Sequence, residues 1–359
     1  MKNDRWAAVA VTKPGRRLLE EIHRQAGPVD IWVPNRLLEG RQALGWTGYA
    51  GSLAQVVSEN FGRYRAWIFV LPAGAAVRLI APWVRDKRTD PSVTVVDDGG
   101  QHAICLLSCH HGQGNQVTLA VARILGAQAV ITTGSEVLGR LSVDLLGREW
   151  GWEREPSPGL TEVSRLILEG EPVAVVQESG ERQWAHHQDF APWVYHRWEQ
   201  VPGKAWRQIQ GCLWITHRRE QIPFQPGVTY HPKVLILGIG VSRGTPEREI
   251  SALVERVFEE NHLALQSVAG IATIDIKKSE RGLTAFAEER HWPVQYFSAE
   301  ELNRTPGAPS PSHPAVYRAT GARAVAEPAA LRASAGGRLL VPKTKTARVT
   351  LAVALQRKD

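Results

Sequence analysis

One stretch, residues 85–136, constrains this chain more than any other: RDKRTDPSVTVVDDGGQHAICLLSCHHGQGNQVTLAVARILGAQAVITTGSE. Two apolar, β-branched runs at 93–96 and 103–107 flank Asp97, Asp98, Gly99 and Gly100, which is the composition of a tight hairpin. Then come Ser108, Cys109, His110, His111, Gly112, Gln113, Gly114 and Asn115, followed by Val117, Leu119, Ala120, Ile124 and Leu125 at helical spacing. The polar cluster therefore stands at a strand-to-helix junction. Unpaired helix N–H groups beside glycines favour a carboxylate or an oxyanion there. The helix is expected to return into a strand at 129–133 that ends in Thr132, Thr133, Gly134, Ser135 and Glu136, so that two polar strand ends face one cleft.

The rest of the chain follows the same grammar. Residues 6–11 read as a strand, Pro14 opens a helix carrying Leu18, Leu19 and Ile22, and 29–33 returns as a strand. A helix at 52–60 and a strand at 66–71 extend this βαβ pattern. The fold class is α/β, with two or three α/β units, mixed sheets and strand-to-helix glycine turns. Two stretches rich in charge, proline and glycine, 148–159 and 218–227, mark borders. The expected domains are 1–138, a small middle domain 139–230 with a helix at 161–168 and strands at 173–176 and 212–216, and 231–359. The last opens with a strand, a glycine turn and an amphipathic helix, with Thr245 as N-cap before Pro246. Gly238, Gly240 and Gly244 are spaced G-x-G-x-x-x-G, with no acidic residue where a ribose would need one, which argues against a dinucleotide.

Composition narrows the function classes. The 359 residues are 43% hydrophobic, enough for ordinary cores, and no apolar run approaches a membrane span, so a cytoplasmic protein is expected. Cys105, Cys109 and Cys212 cannot build a disulfide framework, which fits a reducing compartment, and Cys105 is expected to face the core. The net charge of +7 is all in residues 318–359, which hold nine Lys or Arg against two acidic residues. These charges alternate with apolar residues instead of clustering with aromatics, so they suit a polycarboxylate small molecule better than nucleic acid. Trp184, Trp193, Trp198, Trp206 and Trp214 crowd the middle segment; aromatic cover for a small core is favoured over a macrocycle-stacking platform. His186, His187, His196 and His217 lack ligand spacing.

The order DKRTDP, a VVDD hairpin, SCHHGQGN and ILGAQAVITTGSE resembles the cobalt-precorrin 5A hydrolase family, CbiG, of anaerobic cobalamin biosynthesis. Ser108, His110, Gly112 and Asn115 match its S-G-H-x-G-G-A-N, whereas Cys109, Gln113 and Gly114 stand for Gly, Gly and Ala. Where the family reads I-T-T-A-T-D, this chain has Gly134, Ser135 and Glu136. Further on, GIGVSRGT is similar to the G-I-G-C-R-x-G-T of the C-terminal domain shared with CobE, and IATIDIKKSERGL, TGARAVAEPAAL and LVPKTKTARVTLAVA follow in order. The resemblance covers about residues 50–355.

What the resemblance implies is a hydrolase that opens the δ-lactone of a cobalt corrinoid and releases acetaldehyde, giving cobalt-precorrin 5B. It implies no cofactor, because the substrate carries the cobalt, and no resident metal. His110 is the first choice of general base and Glu327 the second. Binding roles fall to Asp86, Lys87 and Asp90 on a loop held by Pro82 and Pro91; to Ser108, Gly112, Gly114, Asn115, Thr132 and Thr133; to Gly238, Gly240, Arg243, Gly244 and Thr245; and to Asp275, Lys277, Lys343 and Lys345. The expected partner is the corrinoid itself, with room for transient contact with corrin methyltransferases and for a homo-oligomer, and with no nucleic acid or membrane. Two other readings compete: a non-catalytic corrinoid carrier, and a metal site of Cys105, Cys109, His110 and His111.

Overall fold

The computed structural model describes residues 3–38, 45–87, 89–109, 113–308 and 314–358. They divide into two compact units, Met1–Leu145 and Leu146–Asp359.

In the first unit seven strands form one sheet: β1 (Asn3–Ala10), β2 (Val29–Pro34), β3 (Thr47–Tyr49), β4 (Tyr64–Val70), β5 (Ser92–Val96), β6 (His102–Leu107) and β7 (Gln128–Val130). The order is β3-β2-β1-β4-β5-β6-β7, parallel except for the β5–β6 hairpin. Successive residues of β1 serve opposite faces, because side chains alternate across a strand. Ala8 and Ala10 pack with Leu19, Ile22, Val117 and Val121 from helices Lys13–Gln25 and Gly114–Leu125. Ala7 and Val9 pack with Val57, Ala76 and Ile80 from helices Leu53–Asn60 and Ala73–Ile80. Both faces are covered, which is why the central strands are apolar throughout instead of alternating. The hairpin closes as its composition predicts, with the Asp97 carboxylate accepting N–H groups of Gly99, Gln101 and His102. The strand expected at 129–133 is shorter: its parallel ladder with β6 ends at Val130, and the chain turns into the helix Gly134–Val137. Thr132 and Thr133 thus lie beyond the strand.

The second unit carries two sheets. The first comprises β8 (Glu153–Arg154), β9 (Val173–Gln177), β10 (Val194–Tyr195), β11 (Gly211–Ile215) and β12 (Gly227–His231), ordered β10-β9-β11-β12-β8, with only β8 antiparallel. The tryptophans cover the core here: Trp214 is buried, Trp198, half-buried, meets it edge-on at 5.5 Å, and Trp206 stacks on both Trp198 and Phe224. The other sheet comprises β13 (Leu235–Val241), β14 (Val268–Ile274), β15 (Val294–Phe297), β16 (Arg338–Lys345) and β17 (Val349–Leu355), ordered β15-β14-β13-β17-β16, with β17 antiparallel to both its neighbours. Helices Glu247–Glu260 and Arg281–Glu289 bury Ile250, Leu253, Val257, Leu283 and Phe286 against one face. Helix Ala326–Ala333 covers the other, where Ala329 and Ala333 meet Ile236, Ala272 and Ile274. No helix among the described residues is long and apolar enough to cross a membrane.

His217, just past β11, is 5% exposed, and its Nδ1 has no hydrogen-bond partner among the described residues. Burial first, then Arg218 and Arg338, pushes its pKa from 6.5 down to about 4. As pH falls through this window the unfolded chain takes the proton first, so stability falls between pH 6.5 and about 4. The full loss is about 3 kcal/mol at ~1.4 kcal/mol per pKa unit. Urea unfolding of His217→Gln across that range is expected to show a flatter acid limb; a limb as steep as that of wild type would remove His217 as the cause.

Candidate functional site

In the first unit the junction after β6 is built from strain and close packing. Ser108 (φ 51°) and Gln113 (φ 57°) both adopt the left-handed region that non-glycine residues avoid, a cost usually found where a site over-determines its backbone. The helix Gly114–Leu125 is docked by Val117 and Val121, tied to β5 by the buried Thr94–Thr118 hydroxyl pair at 2.8 Å, and ended by Gly126 at φ 66°. At its start the Asn115 amide N–H donates to the Cys109 carbonyl at 3.0 Å, so this group, expected to face a ligand, is already used. The Asn115 side chain, 3% exposed, donates from Nδ2 to Thr133 Oγ1 at 3.2 Å, which ties the junction to the segment after β7.

Three buried polar atoms around this junction have no hydrogen-bond partner among the described residues: Ser92 Oγ, Ser108 Oγ and Asn115 Oδ1. Buried polar atoms are nearly always paired, and an unpaired one costs ~1–3 kcal/mol, so these three are the candidate polar contacts of this junction. His110 and Gly112 lie outside the described residues, as does His111.

Cys105 and Cys109 form a disulfide, Cα to Cα 5.9 Å, a single bridge and not a framework; Cys212 remains free, with its thiol's pKa pushed up by burial. A spacing of four residues across a strand end gave no signal of this pairing. The disulfide also bears on one departure from the family motif, glycine at 114. A Cβ on Gly114 would sit 3.0 Å from Cys105 Sγ, Cys109 Cα and Ser92 Cβ, tighter than ordinary contact, so the paired Cys105 sulfur leaves little room for a methyl at 114. Among the described residues no cluster of three or more His, Cys, Asp or Glu could hold a metal.

The charged loop before β5 behaves differently from expectation. Asp90 is 8% exposed, and its Oδ2 accepts the N–H groups of Arg85 and Asp86 at 2.8 and 3.0 Å, so it orders its own loop and does not face solvent. Lys87 is exposed, 3.7 Å from Asp144. Asp86 is half-buried. A groove of about 670 Å³ in this unit, lined by Leu53, Leu71, Leu79, Pro82 and Trp83 among others, contains none of the predicted site residues.

In the second unit the predicted residues gather at the carboxyl ends of β13 and β14, which pair in parallel. Gly244 (φ 67°) turns the chain, its N–H donates to Glu280 Oε2 at 2.9 Å, and Glu280 Oε1 meets Lys277 Nζ at 3.2 Å. The Gly244 amide first, and Lys277 after it, hold the Glu280 carboxyl below the usual range. Lys277 is therefore an ion-pair partner and not a free cation. Thr245 is not the N-cap. Pro246 takes that position in an extended conformation, and the Thr245 hydroxyl donates back to the Ser242 carbonyl at 2.8 Å. Arg348, which the sequence did not single out, donates to the carbonyls of Arg243 and Gly244 at 3.2 and 2.7 Å, and so pins the turn from the tip of the β16–β17 hairpin. Arg243 and Lys345 are exposed; Lys345 shares a row with Thr350 and Gly240 at the same sheet end. Asp275, half-buried, starts the short turn after β14.

Gly238 and Gly240 lie within β13 and not in a turn. A Cβ on Gly238 would be 1.8 Å from the Ala326 carbonyl oxygen, and one on Gly240 would be 2.5 Å from Thr350 Oγ1. They admit helix Ala326–Ala333 and the neighbouring strand, which is a packing role. In the first turn of that helix Glu327 is 2% exposed, and its Oε1 accepts the Lys343 N–H at 2.9 Å. This carboxylate anchors β16, and Lys343 enters the cluster through its backbone.

Three family descriptions match the chain in order: "Cobalamin synthesis G N-terminal" over residues 55–136, "Cobalamin biosynthesis central region" over 141–232 and "Cobalamin synthesis G C-terminus" over 235–354. The chain is 36% identical over 355 residues to the cobalt-precorrin-5A hydrolase of Priestia megaterium, covering 98% of this chain and 94% of that protein. It is 28% identical over 262 residues to the cobalt-precorrin-5A hydrolase of Salmonella typhimurium, covering 72% of this chain and 73% of that protein. Over 121 residues it is 31% identical to protein CobE of a Sinorhizobium species, covering 33% of this chain and 79% of that protein. With a relative this similar over its whole length and three matching regions in the family's order, the chain belongs to the cobalt-precorrin-5A hydrolase family, CbiG.

Proposed function

We propose that this chain is a hydrolase of cobalamin biosynthesis that opens the δ-lactone of cobalt-precorrin 5A and releases acetaldehyde, with the junction after β6 as its reaction site. The observation that supports this most is the trio of unpaired polar atoms, Ser92 Oγ, Ser108 Oγ and Asn115 Oδ1, on a backbone held in strained conformations. Thr133 accepts from Asn115 Nδ2, so Oδ1 is left as an acceptor able to orient a water. His110 takes a proton from that water as its oxygen bonds to the lactone acyl carbon. The Ser108 hydroxyl donates to the resulting oxyanion. The ring C–O bond then breaks and the leaving oxygen is protonated. When this hydroxyl later loses its proton, its carbon departs as acetaldehyde, and the electrons of the broken C–C bond pass into the conjugated macrocycle. Every step is acid–base chemistry, so the scheme calls for no nicotinamide and no metal other than the cobalt of the substrate. The reaction runs in the cytoplasm between corrin methylation steps. The carrier reading is not favoured, since the relatives matched over most of their length are named hydrolases.

Turnover in water enriched in heavy oxygen tests the first step. One labelled oxygen is expected in the carboxylate of the corrin product. An unlabelled product would mean that water does not attack the acyl carbon.

A further inference from the structure

In the second unit β9, β11 and β12 run parallel, and their carboxyl ends carry Glu178 and Ser179, Thr216 and His217, and His231. That edge is where open parallel sheets receive ligands. A cavity of about 260 Å³ opens beside Glu178 and Ser179; its opposite wall is the approach to β16, Gly336 to Arg338, and the segment after β17, Leu355 to Lys358. Four of its lining residues are cationic, Arg182, Arg338, Arg357 and Lys358, against one carboxylate, Glu178. Glu178 is already engaged: it accepts from Thr216 Oγ1 at 2.6 Å and lies 3.6 Å from Arg218 Nε. Lys358 is 3.3 Å from Glu181, which does not line the cavity. Arg182 is held rigidly, donating to the Gln177 carbonyl at 2.9 Å and to His196 Nδ1 at 2.5 Å. Arg338 is exposed and makes no ion pair among the described residues.

A second, independent observation points to a ligand. Ser179 is 8% exposed and lines this cavity, yet its Oγ has no hydrogen-bond partner among the described residues. A buried hydroxyl donor in a cavity lined by one fixed guanidinium, Arg182, and one exposed guanidinium without an ion pair among the described residues, Arg338, is a setting for a carboxylate oxygen. The volume is below the ~300–1,000 Å³ of sites that enclose a whole ligand, so the cavity suits one acidic arm and not a macrocycle.

We propose that this cavity is a carboxylate subsite, in which Ser179 and Arg338 hold one peripheral acidic side chain of the corrinoid. The assignment rests on the corrinoid reading above and deepens it: neither residue belongs to the reaction junction. The test is calorimetric titration of the full chain with cobyrinic acid, a cobalt corrin with free carboxylate arms, and with its fully methyl-esterified form. Arg338→Ala is expected to weaken binding of the acid by about tenfold and Ser179→Ala by about threefold, the range for losing one charge-assisted or one neutral hydrogen bond. Neither should change binding of the ester, and the salt dependence of acid binding should become shallower in Arg338→Ala. Wild-type affinity for the acid in both variants would overturn the subsite while leaving the corrinoid reading intact. A wild-type protein that binds no acid would overturn both.

Discussion

Replacing His110 with alanine is expected to lower the rate of acetaldehyde release by about a hundredfold or more, the usual contribution of one general base, while corrinoid affinity changes little. A residue that only helped to hold the substrate would weaken binding and turnover together, so the split between affinity and rate carries the assignment. Glu327→Gln is the informative comparison. The Glu327 carboxylate is buried and accepts the Lys343 amide, a bond that the glutamine carbonyl can also accept, so this variant should fold and turn over at close to the wild-type rate. A full-speed His110→Ala together with an inactive Glu327→Gln would place the base in the second unit and reduce the junction after β6 to a binding element.

The second large effect concerns stability. Gly238→Ala would put a methyl group 1.8 Å from the Ala326 carbonyl oxygen and 2.8 Å from Ala330 Cβ, and backbone cannot give way as a flexible side chain can. Overpacking of this kind costs about 3 kcal/mol or more, which lowers the Tm of a unit this size by roughly 6–12 °C. Gly244→Ala serves as a comparison, because its position meets nothing closer than Arg348 at 4.0 Å and its only burden is φ 67°. That strain costs about 1 kcal/mol. Equal losses in the two variants would mean that helix Ala326–Ala333 does not rest on β13 as described.

These two glycines also show what a sequence can and cannot reveal. Gly238 and Gly244 look alike in the string GIGVSRGT, yet one is pressed by a helix far along the chain and the other turns the backbone locally. Local features were legible: Asp97 to Gly100 predicts the hairpin, and the apolar period from Val117 predicts the helix that follows the junction. Features set by distant partners were not. Thr245 has the composition of an N-cap but bonds back to Ser242, and Asp90 faces the amides of its own loop. The cavity between Ser179 and Arg338 joins residues that no periodicity connects. In the junction, the motif itself named Ser108 and Asn115, but only packing shows that their oxygens lack partners and that the Cys105 sulfur crowds Gly114.

The most direct measurement is of the two-carbon product. The purified full chain, incubated with cobalt-precorrin 5A and a trapping agent for aldehydes, is expected to release acetaldehyde in step with the loss of the lactone. Tight binding of the substrate with no acetaldehyde, under conditions where another hydrolase of this family releases it, would contradict the account and leave a protein that holds corrinoids without opening them.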